Sequence, residues 1–90
     1  MNTRTLSMHI LRALADAQTE GRRSTLETLV EQVGVRRRDV RGAVTALHQQ
    51  GLLDAIHMRL TLQGFAIGRS FLKQELPALR VTAERRVVAA

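Results

Sequence analysis

Apolar residues recur along this chain at helical spacing in several stretches, separated by short polar or glycine-containing breaks. From Thr3 to Ala17, Leu6, Ile10, Ala13, Leu14 and Ala17 share one face, while Met8, Leu11 and Ala15 form a second, smaller one almost opposite. The polar run Glu20-Gly21-Arg22-Arg23 interrupts this pattern. Ser24-Thr25-Leu26-Glu27 then has the form of a capping box, in which Ser24 accepts from a first-turn N–H and Glu27 reaches back. Behind it, Leu26, Leu29, Val30 and Val33 predict the buried face of a second helix, with Gly34 as its stop. A third helix, from Arg36 to Gln50, sets Val40, Ala43, Val44 and Leu47 on one side. Arg37, Arg38, Arg41, Thr45 and His48 point elsewhere, and Gly51 ends the helix.

The periodicity then changes. In "LLDAIHMRL" Ile56, Met58 and Leu60 alternate with His57 and Arg59, as in a half-buried strand. Thr61 is the expected cap of a last helix through "TLQGFAIGRSFLKQELPAL", which Pro77 bends or ends. One face of it carries Leu62, Phe65, Leu72 and Leu76; Ile67, Phe71 and Ala78 lie roughly opposite. Gly64 and Gly68 have the spacing of a close helix contact, and Arg69 and Lys73 place that contact in a water-soluble helix pair rather than a membrane. The pattern predicts a mainly α fold with a small β element over residues 1–79. It predicts a flexible tail over residues 80–90, where "RVTAERRVVAA" offers neither cap nor stop.

Composition narrows what such a domain does. Ninety residues suffice for one small core, and 44% apolar content is enough to fold it. Phe65 and Phe71 are the only aromatics, so the core must be aliphatic. The net charge is +6, and of the 14 basic residues only Lys73 is a lysine, a balance that favours a polyanionic partner. The absence of cysteine excludes disulfides, thiolate metal sites and a cysteine nucleophile. His9, His48 and His57 fit no metal-ligand spacing, and no nucleophile–base pair or phosphate-cradling loop is visible. The expectation is a protein without cofactor or enzymatic activity. "MNTRTLSMHI" has no continuous apolar run and no stretch has transmembrane length, so the expected location is cytoplasmic and nucleoid-associated.

The densest charge lies in "GVRRRDVRGAVTALHQQGLL", where Arg36, Arg37, Arg38 and Arg41 crowd the start of the third helix. A helix N-terminus is the positive end of its dipole, so these charges are locally unfavourable there. Either they form a solvated face or a strongly negative partner docks on them. Two helices joined by a short turn with a glycine are the signature of a helix-turn-helix. The run "VEQVGVRRRDVRGAVTALHQQGLL" resembles bacterial winged helix-turn-helix transcriptional regulators, and "MRLTLQGFAIG" is similar to the Leu-Thr-x-x-Gly junction of the MarR and PadR families. The resemblance spans roughly residues 3–76.

That resemblance implies a winged helix-turn-helix fold and a sequence-specific regulator that binds double-stranded DNA as a homodimer. The third helix would be the recognition helix, entering the major groove. Arg37, Arg38 and Arg41 would face the groove, with Thr45 at a base edge and Arg36, His48 and Arg59 on phosphates. The second apolar faces, Met8-Leu11-Ala15 and Ile67-Phe71-Ala78, would be hard for a monomer to cover and would form the dimer contact. The sequence departs from these families in two places. Arg36 stands where they carry a Ser or Thr cap, with Asp39 in the first turn to compensate. Only eight residues separate Leu52 from Thr61, without a hairpin dipeptide, so the wing is reduced. The alternative is a winged-helix interaction module that turns its basic face to an acidic protein.

Overall fold

The structure, a computed structural model, describes residues 3–79. The tail expected over residues 80–90 lies outside the described residues. The element order is α1 (Thr3–Thr19), α2 (Leu26–Val33), α3 (Arg37–Gln49), β1 (Leu53–Asp54), β2 (Arg59–Leu60) and α4 (Leu62–Ser70). The protein is mainly helical with one small antiparallel sheet, in which Leu53 pairs with Leu60 and Asp54 with Arg59.

α1 is the central element and touches all three other helices and β2. Its face of Leu6, Ile10 and Leu14 meets Leu29 of α2, Val40, Ala43, Val44 and Leu47 of α3, and Leu53 and Leu60 of the sheet in one continuous core. The expected inward faces of α1 and α3 are therefore buried. Ala13 differs, being only partly buried at the edge of the core.

α2 begins one residue later than its sequence cue suggested. Thr25, not Ser24, is the cap: the Thr28 N–H donates to Thr25 Oγ1 at 3.2 Å, and the Thr25 N–H donates to Thr28 Oγ1 at 2.8 Å. Both Ser24 and Thr25 can cap, and the frame that buries Leu29 selects Thr25. Gly34 ends α2 at φ 77°, a left-handed conformation that glycine adopts without a Cβ penalty. Val35, buried behind this turn, leads directly into α3.

The strand expected through Ile56 is shorter than its alternation implied. Residues 55–58 are the tip of a hairpin, so period-two alternation does not apply there, and Ile56 is 83% exposed while only Leu60 is buried. Asp54 makes the turn. Its carboxylate accepts from the Ile56 N–H at 3.0 Å and the His57 N–H at 3.3 Å, the local turn chemistry for which Asp is suited. Thr61 closes the base, its N–H donating to the Leu52 carbonyl at 3.1 Å and its hydroxyl to the Gly51 carbonyl at 2.8 Å.

α4 ends at Ser70, well short of the expected Leu79. Of the predicted face, Leu62 is 86% exposed, Phe65 and Leu72 are half-buried, and Leu76 is buried but lies beyond the helix; the buried positions of the helix itself are Gly64 and Gly68. A Cβ on Gly68 would lie 2.5 Å from the Leu11 carbonyl oxygen and 2.9 Å from the Ala15 Cβ, and one on Gly64 would run into the Leu52 carbonyl. The glycine pair thus lets α4 lie directly on α1 and on the approach to β1. This packing covers the second face of α1, leaving Leu11 4% and Ala15 0% exposed. The expectation that a monomer leaves those two residues uncovered is overturned by α4 of the same chain. Beyond Ser70 the chain turns back along α1, where His9 Nε2–H donates to the Pro77 carbonyl at 2.7 Å and Arg12 to the Gln74 carbonyl at 3.4 Å.

Candidate nucleic-acid interface

α3 is held in place by one face and offers the other. Val40, Ala43, Val44 and Leu47 are buried, so the helix cannot roll without emptying the core. Arg37, Arg41, Thr45 and His48, spaced by four, four and three residues, follow one another along a single exposed stripe, and Arg38 flanks it one turn from Arg41. The five side chains predicted to lie on this surface do share it.

Their local partners differ. Arg37 reaches across to α2 and pairs with Glu27 at 2.8 Å. The Glu27 carboxyl is held below its ordinary value, first by its own backbone N–H and then by the Arg37 guanidinium. Arg36 donates through Nε to Asp39 at 3.1 Å. Arg36 is also the N-cap of α3, where its side chain makes no capping bond while its carbonyl accepts from the Asp39 N–H at 3.0 Å and the Val40 N–H at 3.1 Å. Asp39 compensates for the missing cap by countering the charge of Arg36 rather than by capping the backbone. Among the described residues, Arg38 and Arg41 have no acidic partner.

His48 belongs to the stripe but is tied at its ring. Its Nδ1 lies 3.1 Å from both the Ala55 N–H and the Leu53 carbonyl, which joins the last turn of α3 to the hairpin. Arg59 is exposed on β2, on the cleft side of the hairpin with Arg22 and Arg23, and shares no hollow with the α3 arginines. Arg36 and Arg38 instead border a shallow depression with Thr3, Leu6 and Gly42.

The proposed dimer residues do not form one surface of equal exposure. Besides the covered Leu11 and Ala15, Met8 and Phe71 are half-buried, Ala78 is exposed and Ile67 is 39% exposed. Among the described residues no helix is long and apolar enough to cross a membrane, and no cluster of three His, Asp or Glu is placed to hold a metal ion.

Two features of this surface were absent from the sequence reading. Glu27 places a carboxylate among the arginines, a contact that depends on the angle between α2 and α3 and leaves no mark in either helix alone. Arg23, exposed in the α1–α2 loop, stands on the hairpin side with Arg59; the adjacent pair Arg22-Arg23 was its only signal. No protein-family model, no curated protein and no solved structure matches the chain.

Proposed function

We propose that this protein is a winged helix-turn-helix transcriptional regulator that binds double-stranded DNA in a sequence-dependent way through α3. In this reading α2, the Gly34-Val35 turn and α3 are the helix-turn-helix, and the β1–β2 hairpin is a reduced wing. The observation that carries it is the pair Arg38 and Arg41. Both are exposed and without an acidic partner among the described residues, on a helix whose opposite face is locked into the core. Bidentate guanidinium contacts to guanine edges are the commonest specific contacts in a major groove, and the charge that is unfavourable on an isolated helix N-terminus is favourable against phosphates.

The remaining side chains take graded roles. Thr45 lies on the same stripe and serves a base edge. Arg37 is available once its exposed pair with Glu27 opens, which costs little because surface pairs are weak. Arg36, His48 and Arg59 serve phosphates, Arg59 from the hairpin side. The hairpin tip, Ala55-Ile56-His57-Met58, carries neither Arg nor Lys, so a basic wing tip in the minor groove is not part of the proposal. Two of the six residues expected at a homodimer contact are covered by α4, and the reading stands without a dimer. Light scattering with and without duplex gives the number of copies bound.

The test is fluorescence anisotropy with a duplex selected from a randomised library and with a scrambled duplex, at several salt concentrations. The proposal expects tighter binding of the selected duplex and affinity that falls as salt rises. Equal, salt-insensitive affinity for both would remove it and leave α3 as a basic surface for an acidic protein.

A further inference from the structure

The two most exposed large apolar side chains, Ile56 at 83% and Leu62 at 86%, line the same cleft. It has a volume of about 870 Å³ and runs between the α1–α2 loop and the hairpin, with Met58 and Phe65 half-buried along it. No carboxylate lines it among the described residues. Arg22 there is already paired, to Glu20 at 2.7 Å and Asp16 at 3.3 Å, but Arg23 and Arg59 have no acidic partner among the described residues. We propose that this cleft is a docking site for an acidic, apolar segment of another protein, separate from the α3 surface and sharing only Arg59 with the DNA-binding reading.

Charge complementarity selects that occupant. Apolar side chains rimmed by unpaired cations fit a segment that alternates aliphatic and acidic residues. A DNA backbone would satisfy Arg23 and Arg59 but would leave Ile56 and Leu62 in water. A second copy, itself of charge +6, would set Arg23 and Arg59 against their own equivalents. Residues 80–90 of the chain, with three arginines and a single glutamate, are repelled in the same way. Strand addition is also unavailable at Leu60, since its outward N–H donates to Gln18 Oε1 at 2.6 Å. The docked segment is therefore held by its side chains.

The experiment titrates the isotope-labelled full chain with a short peptide of alternating leucine and glutamate and follows the backbone amides by NMR. The same titration uses a leucine–lysine peptide as its counterpart. The proposal expects saturable shifts confined to residues 22–25 and 56–62, and no such shifts with the lysine peptide. In the double variant Ile56→Ser with Leu62→Gln, both at exposed positions, the peptide should bind at least about tenfold more weakly while duplex DNA binds as before. Four results would overturn it: no saturable binding, shifts centred on α3, equal binding of the lysine peptide, or concentration-dependent self-association that the double variant abolishes.

Discussion

Arg37 on α3 and Glu27 on α2 meet at 2.8 Å, so the two helices proposed as the DNA-reading unit are bridged across their exposed side by an ion pair. The pair holds in reserve one of the arginines proposed for the groove and sets a negative charge beside the others. Replacing Glu27 by Gln should release Arg37 and remove that repulsion. The expected outcome is tighter binding to selected and scrambled duplex alike, with the salt dependence steepened by about one phosphate contact. Anisotropy titrations at several salt concentrations measure both. Weaker binding by Glu27→Gln would show that the pair orients Arg37 instead of restraining it.

Two helical glycines should respond to alanine with opposite signs. Gly42 in α3 has open space where a Cβ would stand, so Gly42→Ala should gain roughly 1 kcal/mol of helix propensity. Gly64 in α4 faces the Leu52 backbone carbonyl, which cannot step aside as a flexible side chain can. Overpacking there should outweigh the propensity gain and destabilise by about 1–3 kcal/mol. Denaturant unfolding of the two variants checks both the sign and the size.

Leu47 and Leu62 test burial in the same way. Leu47 is among the largest fully buried side chains and anchors α3, so Leu47→Ala should cost about 2–5 kcal/mol. Leu62→Ala removes an exposed side chain and should stay within about 0.5 kcal/mol of the parent. A thermal melt of Leu47→Ala matching the parent would mean that α3 is rotated relative to the core described above.

The Asp54 carboxylate predicts a pH dependence of the hairpin. The His57 side chain at 2.8 Å, followed by the His57 and Ile56 N–H groups, holds its pKa below the ordinary 3.8. A depressed folded-state value means that the carboxylate stabilises the hairpin above pH 3.8 and that this support is lost as pH falls through the lower folded value. Amide exchange at Ile56 and His57 should therefore be slower in the parent than in Asp54→Ala near neutrality. The two should converge as the carboxyl protonates. A difference that persists in strong acid would assign the turn to something other than this carboxylate.

Much of this architecture was legible in the sequence because it follows from local periodicity. The inward face of α3, the stop at Gly34, the cap at Thr61 and the exposed stripe from Arg37 to His48 all depend on spacing within a few residues. What escaped depends on contacts between distant segments. Gly64 and Gly68 carry the packing of α4, yet glycine adds nothing to an apolar pattern, so the predicted face took in the exposed Leu62. The segment that follows the early end of α4 is held by His9 and Arg12 of α1, which bond the carbonyls of Pro77 and Gln74. Covering of Leu11 and Ala15 follows from the same glycines and withdraws those two residues from any contact between copies. The hairpin was hidden for a different reason: its turn is made by an Asp side chain rather than by an Asn-Gly or Asp-Gly dipeptide.

The most direct test of the central claim is the binding of Arg41→Ala to the selected duplex and to its scrambled counterpart over a range of salt. If Arg41 reads a base edge, the variant should lose about 1–3 kcal/mol on the selected duplex, far less on the scrambled one, and its preference should relax at one position of the site. Arg59→Ala, a phosphate contact in this account, should weaken both duplexes alike and flatten the salt dependence. Parent-like binding of both duplexes by Arg41→Ala, and by the double variant Arg38→Ala with Arg41→Ala, would contradict the account.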